Sequence, residues 1–348
     1  MKEKLNRSYI AQILDKLLRT PSPTGYTHRI MRLVEDELNA LGYEMTYTNK
    51  GCGLVTVPGQ QGERVIGISA HVDTLGAMVR SIKENGTLKI TSLGGFMMSS
   101  IENEYCTIHT RDERVYDGTI MTARPSVHVY EDAREYKRDE ANMEVRIDEL
   151  VSSKKDVEAL GIRPGDFIAF DPRVQMKENG YVKSRHLDDK ASVAALFGLL
   201  DLLKRESITP VYTIKLFFST YEEVGHGSSY IPEDITDLIA VDMGALGDDL
   251  SGSDRDVSIC AKDSSGPYDY QMTSKMIEHA EKLGIGYAVD IYPRYGSDAS
   301  AALRGGRDIR AALVGPGVHA SHAMERTHMD AIAHTSALLA AYILEPAE

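Results

Sequence analysis

Tryptophan is absent from this 348-residue chain, and that absence excludes little, but other scarcities exclude more. Cys52, Cys106 and Cys260 are odd in number and widely spaced, with no C-x-x-C among them. That usage fits a reducing cytosol and argues against a disulfide framework or a cysteine-rich zinc site. No apolar run reaches the roughly 18–20 residues that a membrane helix requires, so no membrane partner is expected. The opening Met1-Lys2-Glu3-Lys4-Leu5-Asn6-Arg7 has a basic touch but no apolar segment and no small-residue cleavage site. No signal peptide is therefore expected, and the expected compartment is the cytoplasm. Neither G-x-x-x-x-G-K-[S/T] nor G-x-G-x-x-G occurs, which removes the usual nucleotide cradles. Basic residues are outnumbered, 39 against 52 acidic ones, for a formal charge of −13. Such a chain repels a phosphate backbone, so nucleic acid is not an expected partner.

What is present is ordinary in amount, 42% hydrophobic, and informative in order. Ile10, Ile13, Leu14, Leu17 and Leu18 recur at helical spacing, as do Ile30, Leu33, Val34, Leu38 and Leu41 before Gly42. Short extended runs are expected near residues 44–48 and 53–57. Residues 64–70 form a near-continuous apolar strand of the kind buried on both faces of a parallel sheet. Between about residues 76 and 181 long helical periods vanish. Short runs at 88–91, 105–109, 119–121, 144–147 and 167–170 lie between breakers, with one helical turn near 157–160. Alternation then resumes. Strands are expected at 211–219, 238–241, 257–261 and 309–314, and helices after Asp188, at 271–283, after Tyr295-Gly296 and at 329–343. The expected fold class is α/β, a mostly parallel sheet flanked by helices, built from residues 1–75 and 181–348 and interrupted by a β-rich insertion at 76–180.

Ser184-Arg185-His186-Leu187-Asp188-Asp189-Lys190 sets two carboxylates side by side against the apolar residues 191–200. Two readings fit. Asp188 can be an N-cap and Asp189 a first-turn acid favoured by the helix dipole. Alternatively Asp188 bridges two metal ions, because a buried charge must be paired or metal-bound. Placement speaks for the second. The strand at 64–70 ends in His71-Val72-Asp73, where residues two apart share a face, so Asp73 can accept the second ring N–H of His71. Glu222 and Glu223 follow the strand at 211–219, Asp242 follows 238–241, and His322 lies in the loop 315–325. In open α/β sheets ligands bind at that edge. Oxygen and imidazole donors suit zinc, cobalt or manganese. Two ions held roughly 3.5–4 Å apart need a bridging anion, which Asp188 can supply. Glu222 and Glu223 are either a solvated loop tip or a pair in which one meets a metal and the other serves as general base. His319, His322 and His328 are equal candidates by position alone, and Glu325 and Arg326 read as an exposed ion pair of little consequence.

With these residues assembled, the chain resembles metallopeptidase family 42, the dinuclear aminopeptidases that include glutamyl, deblocking and tetrahedral self-compartmentalising enzymes. Ala70-His71-Val72-Asp73 looks like that family's first ligand motif and His186-Leu187-Asp188-Asp189-Lys190 its bridging-aspartate motif. Thr220-Tyr221-Glu222-Glu223-Val224-Gly225 looks like its base-and-ligand pair, Val241-Asp242 its next ligand, and Tyr295-Gly296-Ser297-Asp298-Ala299-Ser300 a site-flanking loop. The resemblance implies a zinc-aminopeptidase-like fold in which the insertion is a small β-barrel oligomerisation domain. It implies two divalent metal ions, zinc or cobalt, with Asp188 bridging, His71 and Asp242 on one ion, Glu223 and His322 on the other, Glu222 as general base and Asp73 supporting His71. It also implies a cis peptide at Asp188–Asp189, and a homo-oligomer, a dimer or a twelve-subunit tetrahedron.

One loop departs from the common pattern of a histidine followed by Ser-Pro-x-Glu. Gly317-Val318-His319-Ala320-Ser321-His322-Ala323-Met324-Glu325 is similar to a subgroup encoded with the N-acetylglutaminylglutamine amide osmoprotectant system. In that subgroup the matching histidine follows Ala-Ser, which points to His322 and leaves His319 as its rival. The expected function is a metal-dependent aminopeptidase acting on short peptides. The alternative is an amidase or deacylase acting on a small acylated dipeptide-like metabolite. A binding protein that merely kept the fold would be expected to have lost a ligand or the base, and none is missing.

Overall fold

The computed structural model describes residues 1–345, so the last three residues of the expected 181–348 segment lie outside the described residues. The strand Gln61–His71 is central, with Ile66, Ile68 and Ala70 buried. In sheet order the strands are Met45–Tyr47, Gly53–Val57, Tyr212–Ser219, Gln61–His71, Asp237–Val241, Arg310–Val318, Val257–Asp263 and Gly266–Pro267. Gly244–Ala245 pairs with Arg310–Val318, and Tyr287–Ile291 pairs with Val257–Asp263. The four members from Tyr212–Ser219 to Arg310–Val318 are mutually parallel, and the neighbours on either side of them run antiparallel. This is the α/β class expected from the alternation of strands and helices.

Side chains alternate across the sheet. On Asp237–Val241, Ile239 and Val241 enter one core while Leu238 and Ala240 enter the other. The first core is the larger. In it lies Leu187–Arg205, a helix buried from Leu187 to Leu203 and packed between the helices Arg7–Arg19 and Met329–Leu344. A helix apolar on every side belongs in such a position. Its Gly198 lets those neighbours close in, since a Cβ there would sit 2.7 Å from Ile10 Cδ1 and 2.8 Å from Ser336 Oγ. The helix His28–Leu41 ends at Gly42, whose φ of 80° is the left-handed conformation a C-cap glycine supplies. The second core is covered chiefly by the short helix Asp298–Arg304, started by a Ser297–Ser300 capping box.

Between His71 and Tyr181 the chain forms a closed barrel, in the order Gly76–Ile82, Leu88–Leu93, Met143–Ile147, Val115–Thr122, Tyr105–His109, Phe167–Phe170. It has its own core, including Leu88, Ile90, Ile108, Ile120, Val145 and Ile168. After it, Gln175–Met176 pairs with Tyr181–Ser184, which pairs with Glu325–His328, so the return from the barrel is stitched to the last loop of the sheet.

Several elements differ from expectation. Gly76–Ile82, Tyr181–Ser184, Tyr287–Ile291 and Glu325–His328 are strands that the composition did not mark. Arg310–Val318 runs through Gly315-Pro316-Gly317, which reads as a break. The reason is close approach. A Cβ on Gly315 would overlap the Asp242 carbonyl of the neighbouring strand end, so glycine here permits strand contact instead of ending it.

Candidate active site

Four adjacent parallel strands end on one side of the sheet, and the polar residues stand at those ends. His71 closes Gln61–His71 and lies opposite Ser219 in register. Glu222 and Glu223 form a short turn after Tyr212–Ser219, Asp242 follows Asp237–Val241, and His322 follows Arg310–Val318. Asp188 enters from the helix side. Asp188 and Asp189 sit at the head of Leu187–Arg205 with non-helical dihedrals, so neither is an ordinary first-turn acid. The peptide between them is cis.

The structure brings His71, Asp188, Glu222, Glu223, Asp242 and His322 together. Asp188 Oδ1 lies 3.2 Å from His71 Nε2, and Asp188 Oδ2 lies 3.2 Å from His322 Nε2. Each oxygen of one carboxylate therefore faces a different imidazole. Glu222 Oε2 is 3.7 Å from His71 Nε2 and Glu223 Oε2 is 3.5 Å from His322 Nε2. Ligand atoms of His71, Asp188 and Glu223 fall within 4.8 Å of one another, as do those of His71, Asp189 and Asp242. Asp188, Glu222, Glu223, Asp242 and His322 line a cavity of about 450 Å³, together with Met243, Arg294, Tyr295, Arg304 and Ser321.

His319 is not part of this cluster. It is exposed and joined by main-chain hydrogen bonds to Arg326. His328 instead caps the helix Met329–Leu344 by accepting from the Asp330 N–H. Two other expectations need correction. The ring Nδ1 of His71 lies 2.9 Å from the main-chain carbonyl of Asp73 and 3.6 Å from its carboxylate, so the carbonyl orients the ring. The Asp73 carboxylate instead accepts from Thr24 Oγ1 and from the main-chain N–H groups of Glu222 and Glu223, which tethers their turn. Glu325 is buried, not an exposed partner of Arg326. Its two oxygens accept from the N–H groups of Asp188 and His322, while Arg326 pairs with Asp254.

Asp189 and Ser321 were given no role at the site from sequence, and Asp298 was placed only within the site-flanking loop. Asp189 accepts from the His71 N–H, Asp298 accepts from Ser219 and the Ser228 N–H, and Ser321 donates to Asp188 Oδ2. The Asp188-Asp189 doublet was the available signal for the first. Ser321 is indistinguishable from an ordinary polar loop residue in sequence, and Asp298 is marked only by the resemblance.

The electrostatics of the cluster call for cations. Burial, then the charge of Asp188, pushes Asp242 up to about 7 and Glu325 up to about 8. Burial also raises Glu222 and Glu223, with neighbouring carboxylates adding to it. Burial opposes ionisation of Asp188 and protonation of both histidines. Their mutual contacts outweigh it, holding Asp188 well below the usual carboxylate range and raising His71 and, to about 11, His322. No lysine or arginine pairs with the cluster among the described residues.

The donors fit metal ions. His71 Nδ1 faces a carbonyl, and so does His322 Nδ1, 2.5 Å from Gly95 O. In the neutral tautomer each Nδ1–H donates there and each Nε2 turns its lone pair on a carboxylate, an arrangement that repels unless a cation lies between. Donor spacings of 3.2–3.7 Å match the edge of a tetrahedron about an ion with ligands at roughly 2.0–2.2 Å. Buried Glu223 Oε1 and Asp189 Oδ1 have no hydrogen-bond partner among the described residues.

The profile of the family described as M42 glutamyl aminopeptidase matches residues 51–338. The chain belongs to that family. It is 48% identical over 336 residues to the putative aminopeptidase YhfE of Bacillus subtilis (strain 168), covering 96% of this chain and 97% of that one. Its fold superposes on that of the aminopeptidase APDkam598 from the archaeon Desulfurococcus kamchatkensis with a TM-score of 0.88, at 21% identity, covering 98% of this chain and 96% of that one. The TET1 peptidase of Pyrococcus horikoshii gives 0.84 at 22% identity, covering 97% of this chain and all of that one. The M42 family is one of metal-dependent aminopeptidases, and the chain is an enzyme of that class, a hydrolase.

Proposed function

We propose that the enzyme removes the N-terminal residue of short peptides at a two-metal site, with zinc or cobalt as the ions. The observation that carries this reading is Asp188, whose two oxygens each face a different imidazole Nε2 at 3.2 Å. Asp188 would serve both ions, His71 and Asp242 would hold one, and Glu223 and His322 would hold the other. Such a pair of ions supplies Lewis acidity to the scissile carbonyl and to the attacking water. Glu222, which lines the cavity, takes the proton of that water and passes it to the leaving amine. The surrounding carboxylates favour the substrate's free α-amino group. Asp73 acts indirectly, by holding the turn on which Glu222 and Glu223 stand.

Glu222→Gln is the deciding variant. Metal content should be retained and kcat should fall by about 10²–10⁴-fold. Near-wild-type turnover on aminoacyl nitroanilides would end the assignment.

The same reading makes residues 1–75 and 181–348 the catalytic unit and residues 76–180 a surface for assembly into a dimer or a larger homo-oligomer. Apolar side chains exposed along the insertion, including Met97, Tyr105, Val127 and Val129, support it. So does the shared fold with the P. horikoshii peptidase, which can assemble into a tetrahedron or a large octahedral shell. Light scattering that returned only a monomer would remove this part. A cytoplasmic setting accords with three cysteines that are all free and buried. No helix among the described residues is long and apolar enough to cross a membrane.

A further inference from the structure

Glu325 is a buried acid with no lysine or arginine partner among the described residues, since the neighbouring Arg326 turns away to Asp254. A carboxylate placed so is costly unless it does something an amide or an apolar side chain could not. Its contacts show what that is. Oε2 accepts from the main-chain N–H of Asp188 at 3.0 Å, and Oε1 accepts from that of His322 at 3.1 Å. Those two N–H groups belong to separate parts of the fold, one at the head of the long buried helix and one in the loop after the last parallel strand.

Neither has a helical or strand partner. Asp188 precedes the regular helix, with φ −76° and ψ 100°, and His322 is in the left-handed region with φ 64°. The contacts close into a ring. Glu325 binds both main chains, and the two side chains meet again where Asp188 Oδ2 lies 3.2 Å from His322 Nε2. The fixed separation of two oxygens on one carbon therefore sets how far apart the two residues stand. Ser321 Oγ, 2.9 Å from Asp188 Oδ2, and Gly95 O, 2.5 Å from His322 Nδ1, fix the remaining freedom of the same pair.

We infer that Glu325 is a positioning residue for one half of the metal site, the half held by Asp188, Glu223 and His322. It touches no substrate. It acts by supplying two acceptors at once, a requirement that glutamine cannot meet. A glutamine side chain at this position would offer one acceptor and one N–H₂, and the N–H₂ would face a main-chain N–H. Sequence spacing could not reveal this, because the two partners are 137 and 3 residues away along the chain.

The inference rests on the two-metal reading above, and calorimetric metal titration of the full-length, metal-stripped protein tests the two separately. The wild type should bind two ions. In Glu325→Gln the ion held by both Asp188 and His322 should bind at least about tenfold more weakly, the range found when a group that orients a metal ligand is removed, and the other, which shares only Asp188, should weaken clearly less. At subsaturating metal kcat should fall while KM stays close to the wild-type value, and added metal should restore kcat. Glu325→Asp, with two acceptors on a shorter stem, should lie between the two. Arg326→Met, on the same strand, should titrate as wild type. Unchanged affinity for both ions in Glu325→Gln would overturn the inference. So would equal weakening of both ions accompanied by a lowered melting temperature of the metal-free protein, which is the mark of a merely structural role. If Glu325→Gln does not fold, the aspartate variant decides by the same criteria. A wild type that binds fewer than two ions would strike at the two-metal reading itself.

Discussion

The strand Asp237–Val241 has a buried aspartate before its apolar run and another just after it, and the two ends are treated differently. At the entry, Asp237 is 2.6 Å from Arg64 and 2.7 Å from Arg310. At the exit, Asp242 joins Asp188, Asp189, Glu222 and Glu223, and among the described residues two imidazoles, but no lysine or arginine, pair with these acids. Both ends bury acid beside the same apolar strand. One carries its own counter-ions in the chain, and on the two-metal reading the other takes its counter-charge from bound ions. The contrast separates an acid that holds the fold together from acids that the fold holds ready.

The contrast can be broken most sharply by stripping metal. Chelation should abolish activity and lower stability by about 4 kcal/mol per ion lost if ions are normally present at roughly a thousandfold over their Kd. Activity and melting temperature should both return on adding zinc or cobalt. The stripped protein should also respond to pH in a stated direction. Asp242 and Glu325 have raised pKa values, so the cost of ionising them in the fold appears as pH climbs from about 4 through about 7 and 8. His71 and His322 are also raised, so their favourable contribution, complete below about 6.5, is lost as pH rises further. Asp188 is depressed, and its contribution changes only below about 4. The metal-free melting temperature should therefore be higher at pH 5.5 than at pH 8. Metal-loaded protein should show the opposite trend, because ligands must deprotonate to bind. A metal-free protein equally stable at both pH values would show that the exit cluster is not the charge-starved end.

A smaller effect is expected from Gly315→Ala. The new Cβ would collide with the Asp242 carbonyl and push that strand end aside, costing about 2–3 kcal/mol and weakening metal binding. Thermal melts and metal titration read both. Smallest is Asp237→Asn at the entry end. It should cost about 1–3 kcal/mol in denaturant unfolding, discounted because Arg310 is partly exposed, and leave metal affinity untouched. Loss of metal binding in that variant would erase the distinction between the two ends.

The two ends also differed in how far the sequence disclosed them. Strands buried on both faces, such as Gln61–His71, announce themselves as continuous apolar runs, and acids just beyond them stand out against that background. Hence His71, Glu222, Glu223 and Asp242 could be named together as candidates. The loop after the last strand was harder. Three histidines there were equivalent in sequence, and only the left-handed turn at His322 aims one of them inward. Glu325 looked like half of a surface ion pair because its true partners are main-chain N–H groups, which leave no trace in side-chain spacing. The glycines of residues 315–317 were misleading because glycine serves close approach as well as turning.

The orientation of His322 depends on Gly95, a residue lying among the barrel strands. Arg185, three residues before Asp188, likewise donates to Ser100 O and Glu104 on the barrel side and to Ala323 O beside His322. An engineer wishing to trim the molecule to a minimal catalyst by excising the barrel would therefore cut away part of the active site's own scaffolding. The shortened product would keep every candidate ligand in its sequence, yet the imidazole of His322 would be free to swivel.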